Sequence, residues 1–443
     1  MKVIHHGGKD TVTGSCHELF YSAKQSILID CGQFQGKDVS PLEIGFPVHQ
    51  ITALVITHAH IDHIGRIPWL LAAGFTGPIM CTEATAELMP LMLDDGLKLQ
   101  LGMKKKNRAS LLAVIKKKVQ VISYGRWHRI TANSRKLNEF CYIRFSPAGH
   151  ILGSAYVEIK LSDNNIVVFS GDLGASNTPL LPDPIPPQRA DYLFIELTYG
   201  NRCHDEVESR ASRLKDIINR SLLDGGTILI PAFSVGRTQE LLFDIEQLIY
   251  QSELEADIPI ILDSPMAQKV TKSYRRFKKL WGKEAKEKVL QRRHPLAFEQ
   301  CIQIDNYLSH QRLVNRLASS GEPAIVVAAS GMCEGGRIVG YLKALSPDKR
   351  TDIVFAGYQA KGTLGQKLQS LPQSVWIDGE EIDVAAHIHN MSGYSAHADN
   401  KGLHAFIDGI EVKPREVHLI HGEDEARSVF AKELEGKGFC VVK

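Results

Sequence analysis

The feature that constrains the fold most is a series of short apolar runs, each of which ends in an acidic residue or a histidine. The runs have the length of strands and alternate with helix-like segments through most of the chain. They are SILID ending at Asp30, ALVIT leading to His58, NIVVFSGD ending at Asp172, YLFIE ending at Glu196 and EVHLIH ending at His421. This alternation predicts an α/β protein whose sheets are covered by helices. Because ligands of α/β folds bind beyond the carboxyl ends of strands, the endings also predict one shared site.

A single acidic residue after a strand has a simpler explanation, because Asp side chains commonly stabilise turns. Asp30 and Asp172, each considered alone, fit that explanation. The segment LVITHAHIDHIGRIP does not, because it crowds three histidines and Asp62 into one short loop. Such a group of ionisable side chains cannot be buried together without a cation to balance them.

We interpret this loop as part of a two-metal site. His58 and His60 are two residues apart in an extended run and therefore point to the same side. Asp62 and His63 follow across a turn, and a single tetrahedral zinc ion cannot use all four side chains of one short loop without strain. We therefore assign His58 and His60 to one ion and the next pair to a second.

Residues from distant segments complete the two ligand sets. His150, in SPAGHILGS, supplies the missing ligand of the first ion, His421 completes the second, and Asp172 bridges both. The eight cysteines form no CxxC pair, so imidazole and carboxylate must hold the metal. This ligand chemistry suits two zinc ions, with manganese or iron as alternatives. Two ions roughly 3.5 to 4 Å apart would share a water, lower its pKa and stabilise both oxygens of an in-line displacement.

The length and composition are those of an ordinary two-domain protein. At 443 residues, with 44% apolar and 23% charged residues, the chain exceeds one ordinary core and is not disordered in character. It contains no apolar run long enough for a membrane span and no secretory signal at its N-terminus, so we expect a cytoplasmic protein without a membrane partner.

A second block of alternating strands and helices begins near Asn201 and has a parallel, doubly wound pattern of its own. Ligand-type residues resume after it, in SGYSAHAD and LIHGED. We therefore predict a first domain over residues 1–200, an inserted domain over residues 201–380 and a return of the first domain over residues 381–443.

Positive charge is concentrated in two stretches of the nearly neutral chain. Lys98–Lys118 contains no acidic residue, and Lys269–Arg293 holds eleven Lys or Arg against Glu284 and Glu287. Either stretch could follow a polyanion backbone, or could be the solvated face of an amphipathic helix. The sequence has neither the Walker loop nor the Rossmann glycine pattern, so a nucleotide cofactor is not expected.

The metal segments resemble those of the metallo-β-lactamase fold. The resemblance rests on THAHIDHIG, LIDCG before it, and AGHILGSA and FSGDLG after it. IELTYGNR, SGYSAHAD and LIHGED are similar to the three additional motifs of the β-CASP branch, whose nucleases include bacterial RNase J and the endonuclease of messenger RNA 3′-end cleavage. The similarity extends over essentially the whole chain.

The resemblance implies an αββα sandwich of two sheets, interrupted by a β-CASP domain. It implies that His397 is the general acid that protonates the leaving 3′ oxygen, that Glu196 holds its ring and raises its pKa, and that Asp30 lies behind the metal ligands. The third additional motif is a histidine in family members that act on RNA and commonly a valine in those that act on DNA. His421 therefore favours RNA as the partner.

Three glycine-containing segments of the inserted block are candidates for binding RNA phosphates. SGMCEGGR, SVGRTQE and GYQAKGTLG each precede a helix-like run, where backbone amides face an anion. Plain helix caps are the alternative explanation. The candidate residues are Ser330, Gly335, Gly336, Arg337, Arg237 and Lys361.

These observations together predict a zinc-dependent ribonuclease. The two-metal-activated hydroxide would hydrolyse phosphodiester bonds of single-stranded RNA and leave 5′-phosphate and 3′-hydroxyl ends. The alternatives are a hydrolase of the same fold that acts on DNA or on a small ester, and a non-catalytic RNA-processing subunit. Non-catalytic members of the branch typically lose several metal ligands, whereas this chain keeps all seven candidates. A homodimer is a possible assembly, and the sequence does not determine whether cleavage is internal or from an end.

Overall fold

The computed structural model of the protein describes residues 1–35, 40–131, 140–251, 258–298 and 300–442. The chain divides into two compact units. The first unit consists of Met1–Ser176, Leu181–Cys203 and His397–Lys443, and the second consists of Asn177–Leu180 and His204–Ala396. The second unit is therefore an insertion within the first.

The regular elements within the described residues are named here in chain order. The strands are β1 (Lys2–Gly7), β2 (Cys16–Phe20), β3 (Ser26–Ile29), β4 (Ile51–Val55), β5 (Ile79–Cys81), β6 (Val119–Val121), β7 (His128–Thr131), β8 (Phe140–Pro147), β9 (Ala155–Lys160), β10 (Ile166–Phe169), β11 (Tyr192–Glu196), β12 (Thr227–Pro231), β13 (Ile260–Asp263), β14 (Cys301–Gln303), β15 (Ala324–Ala328), β16 (Asp352–Phe355), β17 (Ser374–Ile377), β18 (Glu380–Asp383), β19 (His387–Asn390), β20 (Glu416–Ile420) and β21 (Val441–Val442). The helices are α1 (Ile61–Ile64), α2 (Ile67–Ala72), α3 (Glu83–Leu101), α4 (Lys105–Lys118), α5 (Val207–Asp224), α6 (Arg237–Tyr250), α7 (Pro265–Arg276), α8 (Lys283–Leu290), α9 (Tyr307–Ser320), α10 (Arg337–Leu345), α11 (Leu364–Gln369), α12 (Asn400–Asp408) and α13 (Asp424–Gly436).

The first unit is built on two sheets. One has the strand order β1-β2-β3-β4-β5-β6, and the other has the order β21-β20-β11-β10-β9-β8-β7. Each sheet has an antiparallel part and a parallel part. The first parallel pair is β3 with β4 in the first sheet and β10 with β11 in the second. β20, which the chain forms after the insertion, pairs in parallel with β11. In the chain, the segment His204–Ala396 of the second unit therefore lies between β11 and β20, which are neighbouring strands of one sheet.

The alternation of side chains along β10 explains how both faces of the second sheet are buried. Val167 and Phe169 join a cluster that also contains residues of β2, β3 and β4, so this cluster fills the space between the two sheets. Ile166 and Val168 point the other way and pack with residues of α12 and α13. Because successive strand residues face opposite sides, a continuous apolar run such as IVVF predicts burial on both faces. The result is an αββα sandwich, which confirms the predicted fold class.

The second unit contains a parallel sheet with the strand order β14-β13-β15-β12-β16-β19. Apolar residues of α9, α10 and α11 form one core with its strands, and α5 contacts both β12 and α6. This is the predicted doubly wound insertion. The second unit ends at Ala396, whereas the sequence predicted a boundary near residue 380. The segment up to Ala396 belongs to the second unit because β19 pairs with β16 there.

Among the described residues, no helix has both the length and the apolar character that crossing a bilayer requires.

Candidate active site

The predicted metal ligands come from loops at the carboxyl ends of strands in the first unit. β4 ends at Val55, and the chain continues through His58 into α1, which carries Asp62 and His63. His60 is the last extended residue before α1, with φ −70° and ψ 151°. The change from extended chain to helix separates the first pair of ligand candidates from the second.

The first group consists of His58, His60, His150 and Asp172, which together could hold a metal ion. Nδ1 of His60 lies 3.1 Å from Nε2 of His58 and 3.0 Å from Nε2 of His150. Oδ2 of Asp172 lies 3.5 Å from each of those two Nε2 atoms. Ligand atoms about 2.0 to 2.1 Å from a tetrahedral zinc ion lie about 3.3 to 3.4 Å from one another, so these spacings suit one such ion.

The second group consists of Asp62, His63, Asp172 and His421. Oδ1 of Asp172 lies 3.3 Å from Nε2 of His63 and 3.5 Å from Nε2 of His421. Oδ2 of Asp62 is 3.7 Å from the first of these nitrogens and 3.9 Å from the second. Asp172 thus directs one carboxylate oxygen to each group, which is the arrangement that a bridging ligand needs.

Buried polar atoms in these groups lack hydrogen-bond partners, and this observation tests whether a cation fits. Nε2 of His63 and Oδ1 of Asp172 are both buried and form no hydrogen bond, although they lie 3.3 Å apart. Leaving such atoms unpaired costs free energy, which coordination to a metal would offset. The donor set of imidazole nitrogens and carboxylate oxygens therefore fits a pair of divalent cations.

The electrostatic field of the site favours neutral imidazole in the first group. Burial and the neighbouring His63 hold the pKa of His58 well below its ordinary value, and burial lowers the pKa of His60 as well. Burial also lowers the pKa of His63, but the charges of Asp172 and Asp30 outweigh it and hold that pKa well above its usual range. For Asp172, burial raises the pKa, and the charges of the surrounding histidines hold it well below the ordinary value.

Asp30 fixes the orientation of His63 and is not among the ligand groups. Nδ1 of His63 donates to Oδ2 of Asp30 over 2.7 Å, which leaves Nε2 directed toward Asp172. Asp30 also accepts hydrogen bonds from the backbone N–H and the hydroxyl of Thr57, both at 2.8 Å. A hydrogen bond of this kind would orient a ligand histidine, and the supporting role of Asp30 stays a prediction.

The backbone around Asp30 is itself constrained. Asp30 has φ 59° and His421 has φ 50°, a region that residues other than glycine seldom adopt. Gly32 lies so close to α1 that a Cβ atom there would come 1.5 Å from the carbonyl oxygen of Asp62. Strained backbone conformations at a binding site persist only when the surrounding structure holds them. The packing of the sandwich must therefore hold Asp30 and His421 in these conformations.

Hydroxyl groups that the sequence analysis missed hold the loop of His150. Oγ of Ser154 accepts hydrogen bonds from the backbone N–H groups of His150 and Ile151, at 3.0 and 3.3 Å. The hydroxyls of Thr82 and Thr85, at the start of α3, donate to the carbonyl oxygen of Gly153 at 2.6 and 2.9 Å. Ser154 belongs to the motif AGHILGSA, and its place four residues after His150 is the signal that could have found it.

His397 and Glu196 form a pair beside the first group. Nδ1 of His397 donates to Oε1 of Glu196 over 3.1 Å and lies 3.9 Å from Oδ2 of Asp172. The Glu196 carboxylate is held by the backbone N–H groups of Leu173 and Thr198, at 2.9 and 3.1 Å. Burial lowers the pKa of His397, but the charge of Glu196 and its hydrogen bond raise it above the ordinary value.

The predicted phosphate-binding residues all belong to the second unit. Gly336, with φ 75°, precedes Arg337 at the start of α10, and the hydroxyl of Ser330 donates to the carbonyl oxygen of Gly335. The Arg337 guanidinium donates to Asp263 and to the carbonyl oxygens of Ile304 and Asp305. Arg237 is buried at the start of α6, and Lys361 is exposed. The structure therefore gives Arg337 a structural partner, and phosphate binding by this set stays a prediction.

Three family models match consecutive parts of the chain. The metallo-beta-lactamase superfamily matches residues 15–133, the Beta-Casp domain matches residues 238–368, and the Zn-dependent metallo-hydrolase RNA specificity domain matches residues 381–442. The sandwich fold, its histidine and carboxylate groups and these matches define a metal-dependent hydrolase.

The curated relatives are more specific. The chain is 35% identical to Ribonuclease TTHA0252 of Thermus thermophilus, over 99% of this chain and 97% of the relative. It is 29% and 30% identical to Transcription termination factor FttA of Methanosarcina mazei and of Methanocaldococcus jannaschii, over 96% and 97% of this chain and 67% and 68% of those proteins. The chain belongs to the β-CASP family of the metallo-β-lactamase superfamily, as its motifs predict.

Proposed function

We propose that this chain is a zinc-dependent ribonuclease that hydrolyses phosphodiester bonds of single-stranded RNA and leaves 5′-phosphate and 3′-hydroxyl ends. The observation that carries the proposal is the pair of ligand groups that share Asp172, with each carboxylate oxygen 3.3 to 3.5 Å from two histidine nitrogens. A site with this geometry suits phosphoryl chemistry, which needs positive charge near both the attacking and the leaving oxygen.

The proposed ligands are His58, His60 and His150 for one zinc ion, and Asp62, His63 and His421 for the other, with Asp172 bridging. Bound there, paired divalent cations supply Lewis acidity, which makes water a nucleophile near neutral pH and stabilises charge on the phosphate oxygens. The chain keeps the site in shape, because Asp30 fixes the ring of His63 and Ser154 fixes the loop of His150.

We assign the general acid to His397. Its Nδ1 is engaged with Glu196, so the proton for the leaving 3′ oxygen is held on Nε2. Glu196 positions the ring, because its own oxygens are fixed by two backbone N–H groups and cannot turn away. The Asp172, Glu196 and His397 group is also capable of holding a metal, which makes metal content the deciding measurement for this role.

RNA is the proposed substrate for two reasons. The third additional motif carries a histidine, His421, where DNA-acting members commonly carry valine. The C-terminal segment matches a domain described as an RNA specificity domain, and a relative that the chain matches over 97% of its length is named a ribonuclease. Ser330, Gly335, Gly336, Arg337, Arg237 and Lys361 remain the proposed contacts to RNA phosphates.

The test is incubation of purified, metal-analysed protein with end-labelled RNA and DNA oligomers, linear and circular. We expect zinc, or manganese or iron, in the protein and faster cleavage of RNA than of DNA. An RNA ligase should join the product fragments through their 5′ ends without prior phosphorylation, because those ends carry phosphate. Circular RNA should be cut only if cleavage is internal. Asp172→Ala, purified in parallel, controls for contaminating nucleases.

The alternatives predict other outcomes of the same experiment. Preferential cleavage of DNA, or turnover of a thioester in place of RNA, would show that the chain is a hydrolase of the same fold with another substrate. A protein that binds RNA and zinc but cleaves nothing would be the non-catalytic subunit. The homodimer would appear in sedimentation as a species of twice the 49.2 kDa chain mass.

A further inference from the structure

The α3–α4 corner lies beside the metal-ligand loop. Gly96 of α3 faces Ile61, the residue after His60, so closely that a Cβ atom at Gly96 would come within 3.3 Å of Ile61 Cδ1. α3 ends five residues later, at Leu101, and Gly102 closes it with φ 56°. The surface that follows Gly96 therefore begins next to the proposed zinc ligands.

This corner is exposed, apolar and basic. Leu99 is 70% exposed and Leu101 is 44% exposed, and Lys98 and Lys104 are exposed as well. From residue 96 to residue 138 the sequence contains no Asp or Glu. No carboxylate from this stretch of the chain would therefore repel an anion that binds to the surface.

α4 continues the basic surface. Of its 14 residues, only Arg108 and Ile115 are buried. Arg108 attaches the helix to α3, because its guanidinium donates to Asp94 over 2.7 Å and to the carbonyl oxygen of Met103 over 2.6 Å. Lys105, Lys106, Lys116 and Lys117 are exposed near the two ends of the helix, whereas the partly buried Lys118 donates to the carbonyl oxygen of Thr76.

α4 leads without a break into β6, which brings the surface to the edges of both sheets. Gln120 of β6 lies within hydrogen-bond distance of His128 of β7, with 3.3 Å between their Nε2 atoms. Beside them, Trp127 is 39% exposed, and the guanidinium of Arg144 lies 4.5 Å from its ring centroid. The basic surface thus ends at an exposed aromatic ring that packs on Arg144, whose charge is paired with Glu158.

We propose that this surface is a binding strip for single-stranded RNA outside the metal site, so that a long RNA extends from the metal-ligand loop over the α3–α4 corner and along α4 to Trp127. The strip consists of Lys98, Lys104, Lys105, Lys106, Lys116, Lys117, Arg126 and Trp127. Lysines along a helix neutralise phosphates without sequence preference, and an exposed aromatic ring stacks on any base. The inference rests on the proposed function, because it takes RNA as the ligand.

The test compares two triple variants. The first is Lys104→Gln with Lys105→Gln and Lys106→Gln, and the control is Lys24→Gln with Lys401→Gln and Lys432→Gln, exposed lysines of the same unit outside the strip. Each protein is titrated with a phosphorothioate RNA of about 30 nucleotides and one of about 5 nucleotides, over a range of salt concentrations. Phosphorothioate linkages keep the charge and resist cleavage, so binding is measured separately from turnover.

We expect the strip variant to bind the long RNA at least ten-fold more weakly than wild type, and its salt slope to fall by about 2, since each lost contact to a single strand removes about 0.7. The short RNA and the control variant should stay within two-fold of wild type. Trp127→Ala should weaken binding of the long RNA roughly ten-fold without changing the salt slope, and Trp127→Phe should recover part of the loss. Thermal unfolding of each variant verifies that the fold is intact.

Equal affinity and equal salt slope in the strip variant and the control would overturn the inference. Lysine-dependent binding to phosphatidylglycerol vesicles without binding to RNA would overturn it as well. A wild-type protein that binds RNA through the strip but cleaves none refutes the proposed function and leaves the strip in place. Equal kcat/KM of wild type and strip variant on long, cleavable RNA refutes the strip and leaves the proposed function in place.

Discussion

Nδ1 of His397 lies 3.1 Å from Oε1 of Glu196, although 201 positions separate the two residues in the chain. The contact joins the strand that precedes the inserted unit to the segment in which the chain leaves it. A histidine held in this way by a fixed carboxylate presents its Nε2 either to transfer a proton or to bind a metal, because ligand histidines use the same kind of partner. The metal content of a His397 variant therefore decides between the two roles.

The first prediction concerns His397→Ala. RNA cleavage should fall by about 10²- to 10⁴-fold, the usual contribution of general acid catalysis, while bound zinc stays near the wild-type amount. Elemental analysis and initial rates on the same preparation measure both quantities. His49→Ala, at an exposed position, should change neither. Loss of zinc together with activity would place His397 in the coordination shell.

The second prediction concerns Asp172→Ala. Because each oxygen of Asp172 faces one of the two ligand groups, the substitution should abolish cleavage and release both ions. Metal content per chain after equilibrium dialysis measures this, with wild type dialysed alongside. A variant that keeps one ion at full occupancy would contradict the bridging role.

The third prediction concerns Asp30→Asn. An amide in place of the carboxylate disturbs the hydrogen bond to Nδ1 of His63, so zinc affinity should fall by about 10- to 100-fold, as for other supporting residues of metal sites. Competition with a chromogenic chelator measures the affinity. Asp163→Asn, on an exposed turn of the same unit, is the control. Wild-type zinc affinity in Asp30→Asn would show that Asp30 does not orient the ligand.

The fourth prediction concerns Asp263, a fully buried carboxylate of the second unit. Its Oδ2 accepts hydrogen bonds from Nδ1 of His310 and the hydroxyl of Tyr341, both at 2.7 Å, and its Oδ1 accepts from Arg337. Burial works to raise the pKa of Asp263, but these hydrogen bonds lower it below the ordinary value. Asp263→Ala leaves the buried hydroxyl of Tyr341 and the buried ring of His310 without their shared acceptor, so the free energy of unfolding should fall by about 3 kcal/mol. Denaturant titration measures this, and an unchanged midpoint would contradict it.

The fifth prediction concerns His5 and acid. Burial, together with the charges of Lys9 and His418, lowers the pKa of His5 to about 4. An unfolded histidine takes up a proton near pH 6.5, whereas the folded state does not until about pH 4, so stability is lost as the pH falls between these values. His5→Gln should reduce that loss by on the order of 1 kcal/mol, after allowance for partial exposure.

The measurement for His5 is the difference in free energy of unfolding between pH 7 and pH 5, for wild type and His5→Gln. His49→Gln serves as the exposed control and should behave as wild type. An equal loss of stability in wild type and His5→Gln would contradict the prediction.

The sequence determined the fold class and the identity of the candidate ligands. Strand-length apolar runs that end in Asp, Glu or His carry this information locally, because a run's length and its last residue do not depend on distant parts of the chain. The position of His58 and His60 on one side of an extended segment, and the change into α1 before Asp62, follow from the same local pattern.

Only the tertiary structure decided which groups meet and what holds them. Nothing local to Thr57 indicates that its hydroxyl holds Asp30, and nothing local to Arg337 indicates that it pairs with Asp263. The changeover at Ala396 is likewise a matter of which sheet β19 joins. Such relationships depend on contacts between segments far apart in the chain, which packing within each unit creates and which no window of the sequence contains.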